Sequence, residues 1–359
     1  MTILLLAAVL ASVSYPAFVP PPEGIGPETF SVSGRAFGMG GVNAGLTDST
    51  ALSSANPAAS AWADRTGVYF GGVFRQGDDP AWDSRPAFPY LSILFPLPGR
   101  IVFSGYFAGK SQVNSRDTLS IDGYVGKYHW TGGLGEAYTG ISVLASEWLA
   151  FSLGGRCTFG NVTSDVQLSK DLPGPWMPLN FTYRDDARFL PSWGAMLGMF
   201  INTPSLGLGF AITTDRSGDL EISRDYLGTG SDSTSESYTI PGELSVGISV
   251  RPFSRLTLAA DLFVRKRLTI FEASVDNGTA ISAGAEVDLG NGFAARGGYS
   301  VMNGLWRDGS IRYTVGGSYS FGNGRARVDV GIGHEIWDDD LGETSLYVCL
   351  WASERWLGR

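Results

Sequence analysis

From Thr66 almost to the end of the chain, apolar residues recur at every second position, which restricts the fold to strands laid side by side. Between Arg255 and Arg267, Leu256, Leu258, Ala260, Leu262 and Val264 alternate with Thr257, Ala259, Asp261, Phe263 and Arg265. Between Arg325 and Ile336, Ala326, Val328, Val330 and Ile332 alternate with Arg327, Asp329, Gly331 and Gly333. One side of each segment is greasy and the other is charged or small. No stretch is long and apolar enough for a transmembrane helix, so a chain of this kind crosses a membrane only as a closed barrel.

Alternation is common to soluble sandwiches and membrane barrels, and the connections separate the two. Strands are expected near 66–75, 87–95, 100–111, 135–145, 149–160, 192–202 and 205–214. They continue near 238–251, 255–268, 279–289, 292–302, 310–321, 324–336 and 343–353, which makes 14. Short turns at 96–99, 146–147, 203–204, 252–254, 290–291 and 322–323 alternate with longer segments that include 112–134, 161–191 and 215–237. Short turns on one rim and long loops on the other are the habit of an outer-membrane barrel, with the short side periplasmic. Composition agrees: 49 of 359 residues are Gly and only 17% are charged, low for a soluble enzyme.

Several functions are excluded by what the residues lack. A net charge of -9 leaves no footprint for nucleic acid. Cys157 and Cys349 have no metal-ligand spacing, and their parities, lipid for the first and lumen for the second, disfavour a disulfide between them. His129 and His334 have no Gly-x-Ser-x-Gly nucleophile to serve, so neither enzyme, metal nor cofactor is expected. Asp338, Asp339, Asp340 and Glu343 lack a calcium-loop pattern and read as a solvated loop.

Ahead of the strands, Ile3 to Val13 is apolar apart from Ser12 and has the length of a signal-peptide core, with cleavage expected after Ser14 or Ala17. The expected layout is a signal peptide at 1–17, a compact segment at 18–65, the barrel at 66–353 and a tail at 354–359. Within the compact segment, Asn56 is placed to cap a short helix and Pro57 to take its first position, where a missing N–H costs nothing. Gly38, Gly40 and Gly41 allow the close backbone approach that a narrow lumen requires.

The run Gly34, Arg35, Ala36, with its trailing glycines and then Asn56, Pro57, Ala58, resembles the N-terminal hatch of FadL/TodX-type outer-membrane proteins and the opening of PorV-like barrels. Pro241 to Gly247, then Arg251 and Pro252, then Leu256 to Asp261, is similar to the late hairpin of the same superfamily. The resemblance implies an all-β fold: a 14-stranded antiparallel transmembrane β-barrel with a short N-terminal helical plug. It implies passive uptake of hydrophobic small molecules, fatty-acid-like or aromatic, across the outer membrane of a two-membrane envelope. The implied partners are the hydrophobic ligand, outer-membrane lipid and lipopolysaccharide, and the barrel-assembly machinery. A PorV-like docking barrel for secreted proteins is the alternative.

Candidate residues follow from the strand parities. Lumen positions include Glu243, Arg251, Asp261, Arg265, Glu286, Arg296, Arg327 and Asp329, read as ion pairs that hold the barrel to its plug. A ligand path is expected along Phe103, Gly105, Tyr106, Phe107, Met196 and Phe200, with Gly105 and Gly109 allowing the third-strand kink and lateral exit that the family shows. Packing of these residues on the plug is an equal reading. Trp176, Met177, Leu179 and Phe181 in the 161–191 connection are expected either to capture a greasy ligand or to cap the barrel mouth.

Overall fold

A computed structural model describes residues 33–48, 50–77, 85–121, 124–170, 179–226, 230–266, 268–270, 273–275, 278–303, 309–337 and 342–354. The expected signal peptide, the first part of the compact segment, Trp176, Met177, the acidic residues 338–340 and the last five residues lie outside this set.

Fourteen antiparallel staves close into a barrel. The first half comprises β1 (Thr66–Gly77), β2 (Arg85–Leu97), β3 (Ile101–Gly109) continued by β4 (Val113–Ile121), β5 (Tyr124–Leu144), β6 (Leu149–Lys170) and β7 (Leu179–Asn202). Next come β8 (Leu206–Thr213) continued by β9 (Arg216–Tyr226), β10 (Gly230–Ile240) leading into β11 (Glu243–Phe253), and β12 (Leu256–Arg265) with the short β13 (Leu268–Ile270). The wall is completed by β14 (Ala273–Val275) leading into β15 (Gly278–Gly290), then β16 (Phe293–Asn303), β17 (Ser310–Phe321), β18 (Ala326–Trp337) and β19 (Gly342–Glu354). The barrel closes where β1 pairs with β19, from Thr66 opposite Glu354 to Gly77 opposite Glu343.

Alternation sets the two faces. On β6, Phe151 and Leu153 point outward while Ala150, Ser152 and Arg156 are buried inside. Exposed apolar side chains cover the outside of nearly every stave, from Val68 and Phe70 on β1 to Val348 and Leu350 on β19. Trp148, Phe253, Phe293 and Phe321 mark the short-turn rim, and Trp193 and Tyr313 stand towards the opposite rim. Such a belt ringed by aromatics is the lipid-facing surface of a transmembrane barrel.

Three of the expected long loops are strand instead. The segments at 112–134, 161–191 and 215–237 are built largely from β4 with β5, β6 with β7, and β9 with β10. β6 and β7 stay paired as far as Lys170 opposite Leu179, so Leu179 and Phe181 belong to a strand. At ~3.3 Å per residue the 24 residues of β7 run ~80 Å, more than twice the apolar band even after a ~40° tilt. The extended staves rise beyond the membrane and roll round a second core that includes Trp130, Tyr128, Val162, Tyr183, Phe189, Leu220 and Tyr238.

The boundary between belt and extension is a bulge. β7 carries an extra residue against β6 between Phe189 and Ser192, where Pro191 has no N–H for the ladder. The bulge exchanges the faces of β7: below it Trp193 and Leu197 face out, and above it Arg188 and Arg184 face out while Phe189 and Tyr183 turn in. The Tyr238 hydroxyl donates to the Leu190 carbonyl at 2.7 Å, occupying an acceptor in the disrupted ladder.

This division predicts two different responses along the outer face of β6. Leu153→Arg, within the belt, is expected to destabilise the folded barrel by ~2–4 kcal/mol. Asn161→Arg, on the same face above the bulge, is expected to change it by less than ~1 kcal/mol, both measured by denaturant refolding into lipid vesicles.

Candidate functional site

The interior is occupied by the segment before β1, and its local structure follows from its caps. Ser33 accepts the Ala36 N–H at the start of a one-turn helix, Gly34–Gly38. Asn56 accepts the Ala58 N–H at the start of a 3-10 turn, Pro57–Trp62, with Pro57 in the first position. The Asn56 amide also donates to the Met199 carbonyl of β7 at 2.9 Å, so the cap is tied to the wall.

Between the two helices the main chain lies directly on the wall. A Cβ on Gly298 of β16 would stand 2.1 Å from the Gly40 nitrogen, and one on Gly209 of β8 would stand 1.8 Å from the Ala44 carbonyl oxygen. Gly284 on β15 and Gly247 on β11 touch the same segment equally closely. Gly284 is registered with Gly298, and Gly209 with Gly247, so two pairs of inward glycines, on β8 with β11 and on β15 with β16, flank β12 and form a circumferential track for residues 39–45. A side chain at any of these four glycines would collide with the segment or with the Asp261 carboxylate that holds it. The glycines of the wall are therefore as specific to its seating as those of the segment itself.

Charge fixes the track at its ends. Arg35 makes a two-pronged contact with Glu286 at 2.9 and 2.7 Å, and Arg296 joins Glu286 at 2.6 Å and Asp329 at 2.7 Å. Arg327 bridges Asp329 at 2.9 Å and Asp48 at 3.4 Å, returning the chain of pairs to the segment. Burial opposes the charge on Asp48, but Arg327 and Arg35 outweigh it and hold its carboxyl at about 2. Asp261 of β12 makes a separate anchor, accepting the main-chain N–H groups of Asn43, Ala44 and Gly45. Tyr69 accepts from the Gly34 N–H at 2.5 Å, and Tyr90 donates to the Leu52 carbonyl at 2.7 Å.

Beside the segment lies a small chamber. Its walls include Ser54 and Ala55 of the segment, Ala108, Gly109 and Lys110 at the end of β3, and Met196, Ala211 and Phe263. Its cavity of about 40 Å³ has room for about three waters. The polar wall is a closed ring of ion pairs. Arg156 reaches Glu136 at 2.7 Å and Glu243 at 2.6 Å, and Arg216 reaches the same two carboxylates at 2.9 and 3.4 Å. Lys110 adds a contact to Glu243 at 3.3 Å, Tyr106 donates to Glu136 at 2.5 Å, and Arg265 stands opposite Glu243 in the β11–β12 register.

The chamber borders an interruption of the wall. Among the described residues, registered pairing of β2 with the third stave ends at Leu91 opposite Phe107, although β2 runs on to Arg85 against β1. The third stave itself breaks between Gly109 and Val113 and resumes as β4, paired with β5.

The sequence-derived path residues divide between the two faces. Tyr106, Met196 and Phe200 are buried inside, Phe200 packing edge-on against Trp62 at 5.8 Å. Phe103, Gly105 and Phe107 share the opposite parity, and Phe103 is exposed towards lipid. Gly105 is paired on both sides, with Ile93 and Thr139, so the strand break falls beyond it at Lys110. Gly34, Arg35, Ala36, Asn56, Pro57 and Ala58 all sit in the occupied interior. Glu136, Arg156 and Arg216 were missed because they lie at or beyond the ends of the strands expected from alternation, or on a strand read only for its apolar face.

Breaking the ring by Glu243→Gln leaves buried cations without their shared carboxylate and is expected to destabilise the barrel by ~3–5 kcal/mol, read from the denaturant midpoint of heat-modifiable gel mobility.

No family model matches the sequence, and no curated protein matches it. Solved structures do. A Pseudomonas aeruginosa FadL homologue superposes with a TM-score of 0.69 over 92% of this chain and 100% of its own, at 14% identity. The monoaromatic hydrocarbon channel CymD gives 0.64 over 90% and 98%, also at 14% identity. The toluene transporter TodX of Pseudomonas putida gives 0.59 over 92% and 99%, at 15% identity. Identity this low speaks to architecture, and in architecture the chain is similar to the barrels of the FadL/TodX type.

Proposed function

We propose that the chain is an outer-membrane channel for passive uptake of hydrophobic small molecules, with the N-terminal segment as its plug. The observation that carries this reading is the position of the chamber, which lies against the point where the wall between β2 and the third stave stops being paired. A molecule reaching the chamber has the plug below it and the interrupted wall beside it. Its way out is sideways, into the lipid, which is the direction an apolar cargo favours.

The chamber supports the reading in chemical terms as well. Ala55, Ala108, Met196, Ala211 and Phe263 offer apolar contact, while Glu136, Arg156 and Glu243 of the ion-paired ring form the polar side of the chamber. At about three waters in volume the chamber admits a cargo the size of toluene only if the side chains that line it give way. The capture of a greasy ligand at the outer end is assigned to the sequence between the paired parts of β6 and β7, which holds Trp176 and Met177, and to Leu179 and Phe181 at the start of β7. The structural relatives include a monoaromatic hydrocarbon channel and a toluene transporter, and the shared architecture supports a cargo of the same hydrophobic kind.

Two measurements test this. Chain purified from outer membranes in mild detergent is expected to carry hydrophobic compounds, detected by mass spectrometry, above the level of an unrelated barrel. Ala108→Phe, which fills the chamber beside the wall break, is expected to abolish uptake of labelled toluene by whole cells while leaving the heat-modifiable barrel intact. Unchanged uptake would remove the chamber from the route. A stoichiometric protein partner in place of ligand would favour the docking reading.

A further inference from the structure

We propose that Asp261 is the latch of the N-terminal segment, the positioning residue whose carboxylate keeps residues 40–45 seated across the lumen. The inference rests on the plug reading and names the group that holds the plug in place.

Asp261 faces inward from β12, with Gly247 opposite it on β11 and Ser282 opposite it on β15. Its two oxygens take three successive main-chain donors: the N–H of Asn43, that of Ala44 at 2.5 Å and that of Gly45 at 2.9 Å. The wall is shaped to allow this. A Cβ on Gly247 would stand 2.1 Å from Asp261 Oδ1 and 2.2 Å from the Gly45 nitrogen, so any larger residue there would occupy the meeting point.

The chemistry differs from that of the other anchors. Glu286, Asp329 and Asp48 each hold the segment or its wall through a guanidinium. The bonds described for Asp261 go to main chain alone. Three convergent N–H groups form a concave anion site, and a carboxylate, which only accepts, can satisfy all of them. An amide of the same shape has one accepting oxygen and turns a donor NH2 towards the same three donors. Ionised Asp at 261 is therefore matched to the backbone of the segment and not to any side chain in it. The glycine track sets how close the segment can come; Asp261 supplies the attraction at its middle.

The test uses the full-length chain with Cys157 and Cys349 replaced by Ala and a reporter, Val42→Cys, at a fully buried position next to the latch. The rate of labelling by a bulky, membrane-impermeant maleimide is compared in three proteins, each checked for folding by heat-modifiable mobility: the reporter alone, with Asp261→Asn, and with Gly298→Val. Gly298→Val forces a side chain into the Gly40 main chain and reports what an unseated segment looks like. Asp261→Asn is expected to raise the labelling rate ~tenfold or more, towards the Gly298→Val value, as befits loss of charge-assisted bonds to buried donors. Should it not fold, Asp261→Ser, which removes the carboxylate with less bulk, carries the same expectation. Fast labelling in Gly298→Val with the parental rate in the Asp261 variant would overturn the latch and leave the plug reading standing. Parental rates in both folded variants would overturn both, because the segment would then not be a separately seated element.

Discussion

A sheet in lipid has no water to satisfy its edges, so the first and last strands must find each other, and the rest of this structure depends on that pairing. Thr66 to Gly77 closes on Glu343 to Glu354 without a register shift. Closure fixes the number of staves, their number fixes the width of the lumen, and the lumen is then wide enough to need filling. This protein fills it three ways. The N-terminal segment lies across the interior, the ion-paired ring sits above it, and an apolar core occupies the extension beyond the membrane.

The strands within the membrane belt were legible in the sequence because lipid enforces a clean alternation there. The expected strands near 255–268 and 324–336 correspond to β12 and β18, with Asp261, Arg265 and Arg327 inside as their parity required. Above the belt both faces carry polar residues, and the signal fades. Thr163 and Asp165 face out of β6 while Ser164 is buried within, so the strand reads as a loop. On β7 the bulge at Pro191 reverses the parity, and a period-two pattern read across it cancels itself. The β9–β10 hairpin is rich in Ser and acidic residues, for which strand propensity is weak.

The caps at Asn56 and Pro57 could be read locally because capping involves residues two or three apart in sequence. What could not be read was the partner of the segment. Gly209, Gly247, Gly284 and Gly298 look in sequence like breaks or bends, and Gly105 was given that role by the same reasoning. In the structure the four inward glycines are contact residues, while Gly105 is an ordinary paired position on the outer face. The distinguishing signal is parity: glycines on the lumen side of adjacent strands, aligned in register, mark a surface for another backbone.

The glycine track also has a consequence for how the molecule is made. The segment that lies in it precedes the whole wall in the chain, and part of the wall it touches comes late: the Gly40 N–H bonds to Thr314 across 274 residues of chain. The contacts with β15 to β18 cannot form until those late strands exist, so full seating requires loop closure over most of the chain. The strand that leaves the segment is the one that closes on β19, so the seam and the seated segment draw together the same two ends of the sequence.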